Sequence, residues 1–96
     1  MSAQWVVLYT KPNTEVQVAR ALHERDIEVF LPTVKQRRHG RWQEWPFFPC
    51  YLFARMDFQR MGYSTVAWTP GLRRVVTFAS RPAVLPDEAM EMIRKR

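Results

Sequence analysis

Cys50, His23 and His39 are the residues of this sequence whose types could support covalent or metal chemistry. A cysteine beside a histidine can form a nucleophile–base pair, because the imidazole takes the proton of the thiol. Cys50 follows Pro49 at the expected start of a strand, where a small buried thiol that only packs is the ordinary interpretation. A structural zinc site needs four ligands with paired spacing, which one cysteine and two histidines do not supply. We therefore expect neither an enzyme nor a metal site, and no cofactor.

Composition points to binding rather than to catalysis. The 96 residues are 47% apolar, which suits one domain spanning residues 1–96 with a single core. Fifteen Lys and Arg against nine Asp and Glu give a net charge of +6, which favours an anionic partner, most often nucleic acid. The single cysteine suits a reducing compartment, and no apolar run is long enough to cross a bilayer. We expect a cytoplasmic monomer without membrane contact.

The stretch RRHGRWQEWPFFPCYLFARM, residues 37–56, joins a basic cluster to a block of aromatics. Alternate residues of a strand share a face, so Tyr51 and Phe53 point one way and Leu52 and Ala54 the other. Both faces could be core, or the aromatic face could bind a partner. The strand pattern of RNA-recognition modules has small residues where this chain has Pro and Cys, so protein docking is favoured over base stacking.

The basic residues fall into three groups that could contact phosphates. The hairpin group has only Glu44 to offset it, whereas any of the groups could also be an ordinary solvated surface. The groups are Lys11 and Arg20 on the first strand–helix unit, Lys35, Arg37, Arg38 and Arg41 on a hairpin, and Arg73 and Arg74 after the TPG turn.

Periodicity places these residues on a short series of elements. Trp5–Tyr9 is apolar on both faces and predicts a central strand. A helix is predicted from Thr14 to Arg25, with Asn13 as its N-cap. A second strand follows at residues 27–32, and the polar arms of residues 33–45 predict a projecting β-hairpin with its turn at His39-Gly40.

The second half of the chain predicts a third strand at 47–56, a short helix from Asp57 to Trp68, a strand at 72–78 and a last helix opening at Asp87. The order β–α–β–hairpin–β–α–β–α indicates an α+β fold. We expect a four-stranded antiparallel or mixed sheet flanked by helices, with the hairpin projecting from it.

VVLYTKPNTEVQVARALHERDIEVFLPTVKQRR, FFPCYLFARM and WTPGLRRVVTF together resemble the N-terminal (NGN) domain of NusG-type transcription elongation factors. The likeness covers nearly the whole chain, and FFPCYLF followed by TPG about twenty residues later is the specific part. PCYLFARMDF and SRPAVLP look especially similar to the specialised antitermination paralogue RfaH. We expect the family's second domain, a small KOW β-barrel, to be absent from this chain.

The resemblance implies two binding sites. A hydrophobic surface would bind the clamp helices of the RNA polymerase largest subunit, through Phe48, Tyr51, Phe53, Phe78, Met90 and Ile93. The upstream fork or the non-template DNA strand, or RNA, would meet the basic groups, through Tyr9, Lys11, Thr14, Gln17, Arg20, Lys35, Arg37, Arg38, Arg41, Arg73 and Arg74. Where RfaH has a His-Thr-Thr patch for the polymerase gate loop, this chain has Gly62, Tyr63 and Ser64, and the two hydroxyls of Tyr63 and Ser64 are the gate-loop candidates.

Three hypotheses follow. The first is an elongation or antitermination factor domain that holds polymerase in its elongating state and suppresses pausing. The second is a basic module that binds an RNA or DNA hairpin, with polymerase contact secondary. The third is a small enzyme that uses Cys50, which predicts loss of activity in Cys50→Ala.

Overall fold

A sheet whose strand pairs are all antiparallel forms the body of the molecule, in a computed structural model that describes residues 3–57, 60 and 66–95. The strands lie in the order β2-β5-β1-β6, and β9 pairs with β1 beside β6. The central position predicted for the first strand is confirmed. The strands of this sheet are β1 Gln4–Thr10, β2 Glu28–Phe30, β5 Tyr51–Met56, β6 Leu72–Val75 and β9 Val84–Leu85.

Two hairpins lie outside this sheet. Strands β3 Thr33–Arg38 and β4 Arg41–Pro46 form the predicted hairpin, and its turn residues His39 and Gly40 have φ of 52° and 76°. Positive φ at both central residues is the condition for a two-residue turn that matches strand twist. The second hairpin, β7 Thr77–Phe78 with β8 Arg81–Pro82, was not predicted.

Two helices flank the sheet in the described part of the chain: α1 Glu15–His23 and α2 Asp87–Arg94. Both carry acidic residues in the first turn and basic residues in the last, which suits the helix dipole. The predicted cap is wrong, because Thr14 holds the N-cap position of α1 and Asn13 has a left-handed φ of 63°. None of the helices described is long and apolar enough to span a membrane.

The two faces of the sheet carry two separate cores. On one face, Val18 and Leu22 of α1 pack against strand residues such as Leu8 and Leu52, and Val66 joins them. On the other face, Met90 of α2 packs with Trp5 and Phe53, and the half-buried Val7, Phe30, Leu85 and Ile93 surround that cluster. Because these surrounding residues are only half-buried, α2 covers only part of its face.

Most predicted boundaries agree with the structure to within two residues, including those of the strand predicted at 27–32, which is Glu28–Phe30, but three predicted elements differ by more. The third strand begins at Tyr51, because Phe47–Cys50 forms a turn in which the Tyr51 N–H donates to the Phe48 carbonyl oxygen (3.0 Å). The predicted strand 72–78 is two strands, since the chain leaves the main sheet after Val76. Of the predicted helix 57–68, Arg60, Val66 and Ala67 are helical, and the rest is not helical or lies outside the described residues.

Candidate binding surface

Phe47, Phe48 and Tyr51 form an exposed aromatic patch at the start of β5. Phe47 and Phe48 are tilted against each other with ring centroids 4.7 Å apart, and Tyr51 follows them across a hydrogen-bonded turn. Phe48 and Tyr51 are 38% and 39% exposed, so roughly half of each ring is supported by the fold. An anchored aromatic group with an open face is the usual centre of a protein interface.

The patch lies on a buried aromatic foundation. The edge of Phe48 meets Phe53 with centroids 6.2 Å apart, and Phe30 stacks on Phe53 at 6.4 Å. Phe53 and Met90, both predicted to bind polymerase, are 6% and 2% exposed. They are therefore positioned to shape the surface from beneath. Ile93 is half-buried and lines a groove of 440 Å³ with Phe30 and Phe47.

The loop that presents Phe47 and Phe48 is tied to the first helix. The Cys50 backbone N–H donates to Oε2 of Glu15 at 2.8 Å, and the Cys50 carbonyl oxygen accepts from the Thr10 N–H at 2.8 Å. Glu15 is buried, and Cys50 has a left-handed φ of 72°. The carboxylate stabilises a turn conformation that a non-glycine residue does not favour by itself. The structure thus makes Glu15 a positioning residue for the aromatic patch.

Glu15→Ala is expected to lower the free energy of unfolding by about 1–3 kcal/mol, because the Cys50 N–H loses its acceptor in a partly buried place. Urea denaturation followed by circular dichroism measures this loss. Glu15→Gln keeps an acceptor oxygen and should retain most of the stability. Equal losses in the two variants would show that this hydrogen bond does not hold the loop.

A row of side chains joins the aromatic patch to the first basic group. Tyr51 is opposite Tyr9 in the β5–β1 register, and their ring centroids are 5.2 Å apart. Tyr9 is in turn opposite Arg74 in β6, whose guanidinium carbon lies 5.5 Å from the Tyr9 ring centroid. Residues predicted separately for polymerase and for nucleic acid are therefore contiguous across three neighbouring strands.

The turn between β1 and α1 is fastened to the start of β6. The Lys11 N–H donates to the Gly71 carbonyl oxygen at 2.9 Å, and the Thr14 hydroxyl donates to the Lys11 carbonyl oxygen at 2.7 Å. The Thr14 hydroxyl also lies 3.2 Å from the Gly71 carbonyl oxygen. The hydroxyl of Thr14 is thus engaged within the fold, whereas the Lys11 side chain is exposed.

The remaining residues of the first and third basic groups lie on exposed surface. Gln17 and Arg20 are on α1, one turn apart. The β1–β6 register passes from Tyr9↔Arg74 to Thr10↔Leu72, so Arg73 is the extra residue of a β-bulge. A bulge redirects a side chain relative to a regular strand. The structure places Arg73 and Arg74 on the strand that borders Tyr9 and Lys11.

The hairpin carries the second basic group away from the main sheet. Lys35, Arg37, Arg38 and Arg41 are all exposed. The Arg38 guanidinium carbon stands 4.3 Å from the Trp45 ring centroid, and the Arg38 guanidinium also donates to the Gln36 amide oxygen at 3.5 Å. Lys35, Arg37 and Arg41 make no ion pair with any residue that the structure describes.

Phe78 is a predicted residue that the structure does not bring into these surfaces. Phe78 is 81% exposed on the β7–β8 hairpin, and none of the ring contacts among described residues includes it. Tyr63 and Ser64 lie outside the described residues. Sequence reasoning missed Glu15 and Phe47, although the doubled phenylalanine before a proline was a signal for Phe47.

The residues considered for covalent or metal chemistry lie on three different elements. His23 is in the last turn of α1, His39 is in the hairpin turn, and Cys50 is half-buried in the loop before β5. The strand start expected for Cys50 is wrong. Within residues 3–57, 60 and 66–95, no three His, Cys, Asp or Glu side chains form a group that could hold a metal ion.

The fold matches that of a solved structure described as "Domain interaction in Thermotoga maritima NusG". The TM-score is 0.70 at 20% identity, over 97% of this chain and 56% of the Thermotoga chain, so this chain spans just over half of that protein's length. No curated protein is significantly similar in sequence. The family model described as "Transcription termination factor nusG" matches residues 3–94. The chain therefore belongs to the NusG family, a family of transcription factors and not of enzymes.

Proposed function

We propose that this domain is a transcription elongation factor of the antitermination type that binds the clamp helices of the RNA polymerase largest subunit through its aromatic patch. The observation that carries the proposal is the partial exposure of Phe48 and Tyr51 above the buried ring of Phe53. Family membership supports transcription as the process. The resemblance of PCYLFARMDF and SRPAVLP to RfaH supports the antitermination subgroup.

The patch and its surroundings suit a helical partner. Phe47, Ile93 and Phe30 line a groove beside the patch, which could receive an apolar side chain of a docked helix. Beyond Tyr51, the row continues through Tyr9 to Arg74, which carries positive charge toward the neighbouring surface. We propose that the non-template strand or the upstream fork of the DNA lies along that basic side, and that the hydroxyls of Tyr63 and Ser64 contact the gate loop.

The proposed mechanism is selective binding of one polymerase conformation, without a chemical step. A rigid domain that binds the clamp in its closed position more tightly than in its open position shifts polymerase toward the closed, elongating state and suppresses pausing. Equal affinity for the two positions would shift nothing, however tight the binding. The antiparallel sheet beneath the patch provides the rigidity, since Tyr9 and Tyr51 are held by the β1–β5 register.

Tyr51→Ala tests the docking surface. We expect this variant to bind a clamp-helix fragment of the polymerase about 30-fold more weakly than the wild type, the effect of losing about 2 kcal/mol at an interface hot spot. Fluorescence anisotropy or calorimetry measures the dissociation constants, and circular dichroism confirms that the variant is folded.

Two matched variants serve as controls. Tyr51→Phe keeps the ring and should bind within a few-fold of the wild type. Trp68→Ala removes a more exposed aromatic outside the patch and should leave binding unchanged. Wild-type affinity in folded Tyr51→Ala would contradict the proposed dock, and so would a wild-type domain that does not bind the fragment.

A second candidate is a basic nucleic-acid-binding module that contacts polymerase only secondarily. The observation that favours it is the hairpin, which carries four cations and a single carboxylate, that of Glu44. This candidate predicts that charge reversal at Arg37 and Arg41 abolishes function and that binding weakens steeply with salt. If Tyr51→Ala lost antitermination but still bound an RNA or DNA hairpin like the wild type, the result would decide for the polymerase dock.

A further inference from the structure

One face of the β3–β4 hairpin combines an exposed indole with two cations. Cross-strand partners share a face, and the register pairs Arg37 with Trp42 and Lys35 with Glu44. These four residues therefore project from the same side of the hairpin, which we call the Trp42 face. Lys35, Trp42 and Glu44 line a single concavity.

The two tryptophans of the hairpin have different environments. Trp45, on the opposite face, is half-buried and has the Arg38 guanidinium over its ring. Trp42 is 69% exposed, and no aromatic or cation–π contact among the described residues covers its ring. A tryptophan that neither packs in the core nor stabilises its hairpin by stacking is available to a ligand with a flat face.

The charge beside Trp42 indicates the chemistry of that ligand. Lys35 and Arg37 are two residues apart on one strand, about 7 Å at a rise of about 3.4 Å per residue, so they can contact different phosphates of one strand. The carboxylate of Glu44 is engaged, since it accepts a hydrogen bond from the Thr33 hydroxyl at 3.3 Å. The face thus offers a stacking ring and positive charge together.

The geometry points to a single-stranded nucleic acid as the ligand of the Trp42 face, with a base stacked on Trp42 and the adjoining phosphates contacted by Lys35 and Arg37. A duplex keeps its base faces stacked inside, so the indole would have no base to meet. Proteins that bind single strands combine basic grooves with aromatic stacking in this way. The inference rests on the nucleic-acid part of the proposed function, not on the polymerase dock.

The stacking and phosphate contacts of this face are common to DNA and RNA. The Thr33 hydroxyl uses one acceptor site of the Glu44 carboxylate, which keeps others, and the two cations can donate to a ribose hydroxyl. Single-stranded DNA and single-stranded RNA both have the chemistry that this face binds, and the test compares them directly.

The test is binding of the whole domain to labelled oligodeoxyuridylate, measured by anisotropy, with quenching of tryptophan fluorescence as a second readout. Trp42→Ala should weaken binding about tenfold, which corresponds to about 1.4 kcal/mol, because the stacking of one base is lost. Trp42→Phe should retain most of the affinity. Trp68→Ala, which removes a tryptophan that is 80% exposed outside the hairpin, should bind and be quenched like the wild type.

Further arms separate the possible failures. Wild-type binding by Trp42→Ala, together with weaker binding and a smaller salt slope in Arg37→Gln, would overturn the stacking inference and leave phosphate contact intact. Wild-type binding by both variants would overturn the nucleic-acid role of the hairpin as well. Oligouridylate differs only in the 2′-hydroxyl, and its affinity relative to that of oligodeoxyuridylate shows which of the two strands is preferred. Tighter binding of duplex DNA than of either single strand would overturn the inference. Binding of the clamp-helix fragment by the same variants tests the polymerase dock independently.

Discussion

Phe53→Ala is expected to lower the free energy of unfolding by about 3–5 kcal/mol, the usual cost of truncating a buried phenylalanine. Phe53 is 6% exposed, and its ring contacts Phe30 on one side and Phe48 on another while it packs with Trp5 and Met90. The loss is a large share of the stability of a domain this size, about 5–15 kcal/mol. Urea denaturation with an unchanged m-value measures it.

The same substitution should weaken binding of the clamp-helix fragment under conditions where the variant remains folded, because Phe48 loses the ring beneath it. Phe53→Leu, which fills more of the space, should cost less in both measurements. Phe78→Ala changes an exposed ring and should alter stability by no more than about 0.5 kcal/mol. If the Phe53→Ala domain were as stable as the Phe78→Ala domain, the core cluster that contains Phe53 would not support the aromatic patch.

Elements with a strong local signal were predictable. Trp5–Tyr9 is apolar on both faces, and the structure places it between β5 on one side and β6 and β9 on the other. Val18 and Leu22 recur at helical spacing and are buried on α1. The hairpin followed from the glycine of His39-Gly40, because glycine readily takes the positive φ that such turns need.

Boundaries set by tertiary hydrogen bonds were not predictable. Cys50 takes its left-handed conformation beside a carboxylate that is 35 residues earlier in the chain. The strand predicted for 72–78 divides because the Val76 N–H donates to the Val7 carbonyl oxygen while Thr77 turns to pair with Pro82. The amino-acid composition around this break is that of an ordinary strand, so it gives no signal that the strand divides.

The aromatic site was predictable in its residue types but not in its depth. Alternation placed Tyr51 and Phe53 on one face, and that is correct. Alternation cannot predict how far α2 extends over that face. In the structure α2 reaches far enough to help bury Phe53 but leaves Tyr51 exposed. Trp42 was in the same basic and aromatic stretch, but the register with Arg37 was needed to place it beside a cation.

Gly71→Ala is expected to destabilise the domain more than Gly40→Ala, although both glycines have positive φ. Gly71 has φ of 88°, and a Cβ there would lie 3.0 Å from Cβ of Thr14 and 3.1 Å from Cγ2 of Val18. Gly40 has φ of 76°, and a Cβ there would meet nothing within 4 Å. Backbone strain of about 1–2 kcal/mol is common to the two substitutions, whereas overpacking adds about 1–3 kcal/mol only at Gly71.

The pair separates conformational strain from close packing between α1 and β6. Chemical denaturation should give a free energy of unfolding for Gly71→Ala that is lower than that of Gly40→Ala by at least about 1 kcal/mol. The Gly71 carbonyl oxygen accepts a hydrogen bond from the Lys11 N–H, so a displaced Gly71 also displaces Lys11. Gly71→Ala should therefore weaken the proposed nucleic-acid binding by the basic surface around Tyr9 and Arg74. Gly40→Ala, which lies in the β3–β4 hairpin, should leave that surface unchanged. Equal destabilisation by the two substitutions would mean that α1 moves away from β6 at little cost, and the turn between β1 and α1 would then not be the rigid element that presents Lys11.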